Sequence, residues 1–106
     1  MGNNLEAISF QLIANVGEAR SLLFEALRLA REENFKEAEK YVMDAEDAML
    51  KAHESHFSLI QQEARGEKVE FSLILMHAED QLMTTELLKS MANELILTHK
   101  KYSKIK

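Results

Sequence analysis

The feature of this sequence that most limits its fold is the near absence of helix-breaking residues. Its 106 residues include no proline and three glycines, at positions 2, 17 and 66. Proline removes a backbone hydrogen-bond donor and glycine lowers helix stability, so a chain with so few of them can form long uninterrupted helices. The sequence therefore predicts an all-α protein.

Apolar residues recur at intervals of three and four in three segments, which is the spacing of one face of an α-helix. We place helices at about residues 4–33, 35–65 and 72–101. Asn34 suits the connection between the first two, either as a left-handed residue or as a cap of the second helix. Gly66 suits the end of the second helix, and Ser72 is a suitable N-cap for the third. Short connections between similar helices predict an up-down-up antiparallel three-helix bundle, forming a single domain over residues 1–106.

The third helix carries more apolar surface than one bundle can bury. One row along it contains Leu73, Met76, Asp80, Met83, Leu87, Met91 and Leu95. A second row contains Leu75, Ala78, Leu82, Thr85, Leu88, Ala92 and Ile96. Because a three-helix bundle covers one such row, we expect further copies of the chain to cover the other in a homo-oligomer. The alternative is a wide core face that uses methionines as adaptable filler.

Asp80 is the one charged residue in the first of these rows. An ionised carboxylate among apolar neighbours is unfavourable unless it is paired, bound to a metal or neutralised. If the row faces a symmetry axis, the copies of Asp80 meet there and must share protons or bind a cation. Oxygen ligands suit a hard divalent ion such as Mg²⁺. The alternative is that Asp80 points into a hydrated gap.

His77 stands in the same segment, where an imidazole and a carboxylate lie three residues apart among apolar neighbours. On a helix, His77 shares a face with Asp80, Gln81 and Thr84, so a polar row runs beside the packing row. This placement calls for a chemical reason. It makes His77 and Asp80 the candidate functional residues.

Two further groups of residues are weaker candidates. Gly17 interrupts a good helix, either because another helix or a ligand approaches closely or because a glycine is tolerated there. Arg20 and Ser21 beside it have hydrogen-bond donors for an oxyanion, although an arginine on a hydrated face is also common. His53 and His56 have a spacing that can bind one metal ion. We favour hydrogen-bonded structural histidines, because the chain has no cysteine and no zinc-protease signature.

Composition and charge exclude several classes of function. The absence of cysteine removes disulfides, thiolate metal sites and cysteine nucleophiles. A net charge of −5 argues against nucleic acid as a partner. The sequence contains no apolar run long enough for direct membrane insertion, no glycine-rich phosphate loop and no secretory signal, so we expect a soluble cytoplasmic protein.

Three blocks of sequence resemble the lactose/cellobiose-type IIA components of the bacterial phosphoenolpyruvate-dependent sugar phosphotransferase system. Residues 17–21 read GEARS, which is similar to the family's Gly-x-Ala-Arg-Ser. Residues 52–53, AH, and 58–67, SLIQQEARGE, are similar to the end of its second helix. Residues 77–84 read HAEDQLMT, which resembles its His-Ala-Gln-Asp-His-Leu-Met-Thr and is the most specific of the three. Together the blocks extend over nearly the whole chain.

The resemblance implies a three-helix protomer assembled as a homotrimer. It implies that His77 is phosphorylated and that Asp80 binds a divalent cation, Mg²⁺ or a similar ion, at the trimer axis. The phosphoryl group would come from the histidine-containing phosphocarrier protein and pass to the cysteine of a IIB component during uptake of a β-linked disaccharide. The chain would then be a phosphotransferase component that forms a phosphohistidine intermediate.

Two residues depart from the family pattern: Glu79 replaces the usual Gln, and Gln81 replaces the usual second His. We expect an extra carboxylate near His77 to favour the protonated imidazole and to repel phosphate. These departures motivate an alternative hypothesis, in which the chain is a transfer-deficient trimeric helical bundle that acts as a non-enzymatic interaction or regulatory protein.

Overall fold

The structure, a computed structural model, describes residues 2–104, with side chains from residue 4 onward. Over this range the chain forms three α-helices and no strand: α1 is Gly2–Arg31, α2 is Phe35–Ala64 and α3 is Leu73–Ser103. The predicted all-α fold with three helices is confirmed. The helix ends differ slightly from the predicted ones, since α1 stops at Arg31 instead of 33 and α3 continues to Ser103 instead of 101.

Two backbone hydrogen bonds close the C-terminal end of α1. The backbone N–H of Asn34 donates to the carbonyl of Leu29 at 2.9 Å, and that of Glu33 donates to Ala30 at 3.0 Å. This pattern requires one left-handed residue, and Glu33 adopts that conformation with a φ of 65°. Asn34 is not left-handed, and its side chain makes no cap hydrogen bond, so only the predicted position of a cap is confirmed. It occupies the N-cap position of α2, where its carbonyl accepts the N–H of Ala38 at 3.0 Å.

The connection between α2 and α3 is bounded by the two residues that the sequence predicted, Gly66 and Ser72. Gly66 ends α2 in the left-handed region with a φ of 85°, while the N–H of Glu67 donates to Gln62 at 3.1 Å. Ser72 begins α3, because its side-chain oxygen accepts the N–H of Leu75 at 3.2 Å. The predicted roles of Gly66 and Ser72 are confirmed.

Side-chain contacts between α2 and α3 show that these helices run in opposite directions. Rising residue numbers along α3 meet falling numbers along α2 in three pairs: His56 with Glu79, His53 with Glu86, and Glu39 with Lys100. The tight connection at residues 32–34 makes α1 antiparallel to α2. As a result, α1 is parallel to α3, and the helices run up, down and up.

The first helix is central to the packing, since α1 contacts both α2 and α3 extensively while those two contact each other less. The bundle measures 57 × 20 × 19 Å. Many core residues are alanines, which let helix axes approach closely. Residues with no exposed surface include Leu12, Ala19, Leu23, Ala26, Ala30, Ala38, Ala45, Ala52, Ala78 and Ala92. Thr85 is also fully buried, and its hydroxyl has no hydrogen-bond partner among the described residues.

The two apolar rows of α3 have different environments. The second row packs in the core, with Leu88 half-buried and its other six members buried. The first row is exposed, and its six apolar members keep between 41% and 69% of their surface accessible. The alternative of a wide core face filled by methionine is therefore wrong for the single chain, because Met76, Met83 and Met91 lie outside the core.

Candidate functional site

His77 lies on the exposed side of α3, in its second turn. The cap at Ser72 fixes where the helix begins, and the buried side chains of Leu75 and Ala78 fix its rotation about its axis. Neither ring nitrogen of His77 has a hydrogen-bond partner within residues 4–104. A histidine in this position offers a ring nitrogen to a molecule that approaches from outside.

Arg20 reaches from α1 to the same part of α3. Its Nη1 donates to Oε1 of Gln81 at 2.9 Å, and its side chain is half-buried. Gln81 follows His77 by four residues and shares its face of the helix, so Arg20 contacts α3 at a residue one helical turn from His77. The sequence indicated Arg20 as a possible oxyanion donor, but it did not indicate Gln81 as its partner.

Gly17 and Ser21, the neighbouring candidates on α1, are exposed. A Cβ atom added at Gly17 would meet no heavy atom within 4 Å. Close approach of another helix of the same chain therefore does not explain this glycine. Thr84, predicted to share the face of His77, is also exposed, and its hydroxyl donates to the carbonyl of Gln81 at 3.2 Å.

The extra carboxylate of Glu79 points toward α2. Its Oε2 lies 2.7 Å from Nε2 of His56, and both side chains are partly buried. Residues two apart on a helix do not face each other, so this contact does not lie on the face of His77. The expected effect of Glu79 on His77 stays a prediction.

His53 forms a similar contact with Glu86, one level further along the bundle. The prediction that His53 and His56 are hydrogen-bonded structural residues is confirmed. Each imidazole bridges α2 and α3 through a glutamate.

Asp80 is exposed on the first row of α3, between Met76 and Met83. Among the described residues of one chain, no group of three or more His, Cys, Asp or Glu side chains is arranged to hold a metal ion. The Asp80 carboxylate of one chain supplies only part of the oxygen shell that Mg²⁺ takes.

None of the helices in the described range combines the length and apolar character needed to cross a bilayer.

The fold and the site together define a class of helical proteins that present an unengaged histidine, with an arginine nearby, on an open helical surface. The family model for the lactose/cellobiose-specific IIA subunit of the phosphotransferase system (PTS) matches residues 7–100. The chain belongs to this family.

Individual relatives are similar over nearly their whole length. The lactose-specific EIIA component of Staphylococcus epidermidis is 39% identical over 101 residues, which are 95% of this chain and 97% of that protein. The crystal structure of the cellobiose-specific enzyme IIA of Bacillus anthracis is 44% identical, with a TM-score of 0.90 and coverage of 93% of this chain and 91% of that one. A third similar structure is a solution structure of the IIA(Chitobiose)–HPr complex of Escherichia coli. The matched chain is 36% identical, with a TM-score of 0.82 and coverage of 93% of this chain and 96% of that one.

Proposed function

We propose that this protein is a phosphocarrier of the sugar phosphotransferase system. It accepts a phosphoryl group on His77 from the histidine-containing phosphocarrier protein and passes it to a cysteine of a IIB component. The observation that carries the proposal is His77 itself, which is exposed and unengaged within the sequence block most specific to the family. The structure of the similar Escherichia coli IIA in complex with HPr, the histidine-containing phosphocarrier protein, supports the identity of the donor.

The proposed chemistry consists of two displacements at phosphorus. The lone pair of a neutral His77 nitrogen attacks, a new P–N bond forms, and the P–N bond of the donor breaks with its electron pair staying on the donor ring. In the second transfer the IIB cysteine thiolate attacks the same phosphorus, and the His77 ring leaves with the electron pair of its P–N bond. The P–N bond keeps a high transfer potential between the two steps.

An open site suits this exchange because each partner brings its own reacting residue. Phosphoryl transfer depends mainly on positioning and on stabilising the charge of the phosphoryl oxygens. An exposed acceptor with a cationic side chain nearby meets both needs. The partners then exclude water when they dock on the helical surface.

The sugar class follows from the family and its members. Lactose, cellobiose and N,N′-diacetylchitobiose are named for the family and for similar proteins, and other relatives are named for oligo-β-mannoside and lichenan. All of these are β-linked sugars, so we assign the chain to the uptake of a β-linked sugar such as a disaccharide. The sugar itself binds elsewhere in the system, since a IIA component handles the phosphoryl group.

The proposed active form is a homotrimer in which the exposed row of α3 faces the threefold axis. Support comes from the uncovered leucines and methionines of that row, which one bundle leaves accessible. Three copies of Asp80 would then converge, and their carboxylates with water would complete an oxygen shell for Mg²⁺. The ion would stabilise the assembly by offsetting repulsion between the carboxylates, and it takes no part in the transfer.

The alternative of a transfer-deficient bundle was motivated by Glu79 and Gln81. The geometry weakens it, because Glu79 binds His56 and Gln81 binds Arg20. Neither substitution places a negative charge on the face of His77, so both are compatible with transfer.

The test is to incubate the protein with phosphoenolpyruvate and the general phosphotransferase enzymes, and then to locate the phosphate by mass spectrometry. We expect acid-labile phosphate on His77 and none in His77→Gln. The matched control is His99→Gln, which changes a half-buried histidine further along the same helix and should leave labelling intact. An unlabelled wild type beside a labelled control IIA protein would refute the phosphocarrier function.

A further inference from the structure

Arg20 differs from two other arginines of the chain in the charge of its partner. Arg28 contacts the carboxylates of Glu25 and Glu32, and Arg65 contacts Glu67. Those carboxylates raise the pKa of Arg28 and Arg65 above the ordinary value, chiefly through side-chain hydrogen bonds. Arg20 instead donates to the neutral amide of Gln81. The amide holds the guanidinium in place without neutralising its charge.

The hydrogen bond to Gln81 also leaves most of the guanidinium available. It uses Nη1, while Nε and Nη2 of Arg20 have no hydrogen-bond partner among the described residues. The Gln81 amide uses its oxygen, so its own N–H groups are likewise available on the face shared with His77. A positively charged fork of this kind matches the oxygens of a phosphoryl group.

The direction of the helices places these groups beside His77. Because α1 and α3 run parallel, the residues one turn before Arg20 and Gln81 lie at similar heights along the bundle. Those residues are Gly17 on α1 and His77 on α3, and both are exposed. Gly17 has no side chain, and the space next to it is open for at least 4 Å. The surface beside His77 therefore offers both a cation and room for an incoming group.

We propose that Arg20, positioned by Gln81, binds the phosphoryl group carried by His77 and stabilises its negative charge. This inference rests on the proposed phosphocarrier function and assigns two further residues to that site. Arg20 forms no covalent bond in either transfer. It donates hydrogen bonds to the phosphoryl oxygens while the P–N bonds form and break, and Gln81 is a positioning residue that holds it there.

The test compares the rate of His77 phosphorylation by the phosphorylated donor protein in the wild type and in Arg20→Gln. A hydrogen bond to a charged group has a free energy that corresponds to a rate loss of about ten- to hundred-fold. Arg20→Lys keeps the charge without the fork and should recover part of the rate. Arg31→Gln is the matched control, since it removes an exposed arginine three turns further along α1 and should react like the wild type.

A second measurement separates binding of the phosphate from a merely structural role. A cation beside the phosphoryl group lowers the pKa of its second ionisation, so ³¹P NMR titration of phospho-His77 should give a higher value in Arg20→Gln. Gln81→Met, which removes the amide that holds Arg20 without adding a charge, should shift the phosphate pKa in the same direction even if Arg20→Gln folds poorly. Helix content by circular dichroism checks the fold of each variant.

The outcomes distinguish this inference from the proposed function. If the wild type is labelled on His77 but folded Arg20→Gln matches it in both rate and phosphate pKa, Arg20 does not bind the phosphoryl group, although the carrier function stands. If Gln81→Met leaves the phosphate pKa unchanged, Gln81 does not position Arg20 and the inference fails as well. An unlabelled wild type would instead remove the function itself.

Discussion

Replacing Gly17 by alanine should stabilise the protein. Gly17 lies in the interior of α1, is exposed, and has open space where a Cβ atom would stand. The substitution therefore adds no clash and reduces the conformational entropy of the unfolded chain. Alanine is favoured over glycine at such a position by about 1 kcal/mol. For a chain of this length, that free energy corresponds to a rise in melting temperature of roughly 4–5 °C.

The assay is thermal denaturation followed by circular dichroism, at one fixed protein concentration because assembly would make the melting temperature depend on it. Gly66→Ala is the matched control. It makes the same chemical change at a residue with a φ of 85°, where a side chain is strained, so it should lower the melting temperature. A lower melting temperature for Gly17→Ala would refute the reasoning, because it would mean that another molecule in the assembled protein covers this position.

Two further substitutions test other parts of the molecule. Asp80→Leu should keep or strengthen a trimer in the presence of chelator, since replacing clustered carboxylates by packed apolar side chains is often neutral or stabilising; sedimentation of both proteins with and without chelator measures this. If the variant dissociates while chelator leaves the oligomeric state of the wild type unchanged, Asp80 does not lie at the axis. Thr85→Val should raise the free energy of unfolding by about 1–2 kcal/mol, because it removes a buried hydroxyl that lacks a partner among the described residues. Denaturant unfolding measures this change, and a loss of stability would show that the hydroxyl is hydrogen-bonded in the assembled protein.

Much of the fold follows from features that are local in sequence. The absence of proline, the periodic apolar residues, Gly66 and Ser72 are each read from a few neighbouring positions, and they give the three helices and most of their ends. The turn after α1 shows where local preference stops. Asparagine is more tolerant of the left-handed conformation than glutamate, yet Glu33 adopts it, because the hydrogen bonds that close α1 determine which residue must do so.

The site was less predictable because it depends on two helices that are distant in sequence. His77 and Asp80 stood out on α3 alone. The contact between Arg20 and Gln81 spans 61 positions of the chain and requires the lateral register of α1 against α3. That register depends on packing of alanines and leucines in the core, for which the sequence has no short signal. The direction of Glu79, in contrast, follows from helix geometry, because a residue two positions from His77 faces another side.

The central position of α1 has a consequence for how the protein is made. It packs against both other helices, and one of them, α3, is synthesised after α1 and α2. At about 5–20 residues per second, a ribosome needs roughly two to eight seconds to produce the chain from the end of α2 to the end of α3. During this interval α1 and α2 can pair as a hairpin, but the surface of α1 that packs against α3 has nothing to cover it. This uncovered surface of the nascent chain is therefore open to aggregation and to chaperones until α3 emerges.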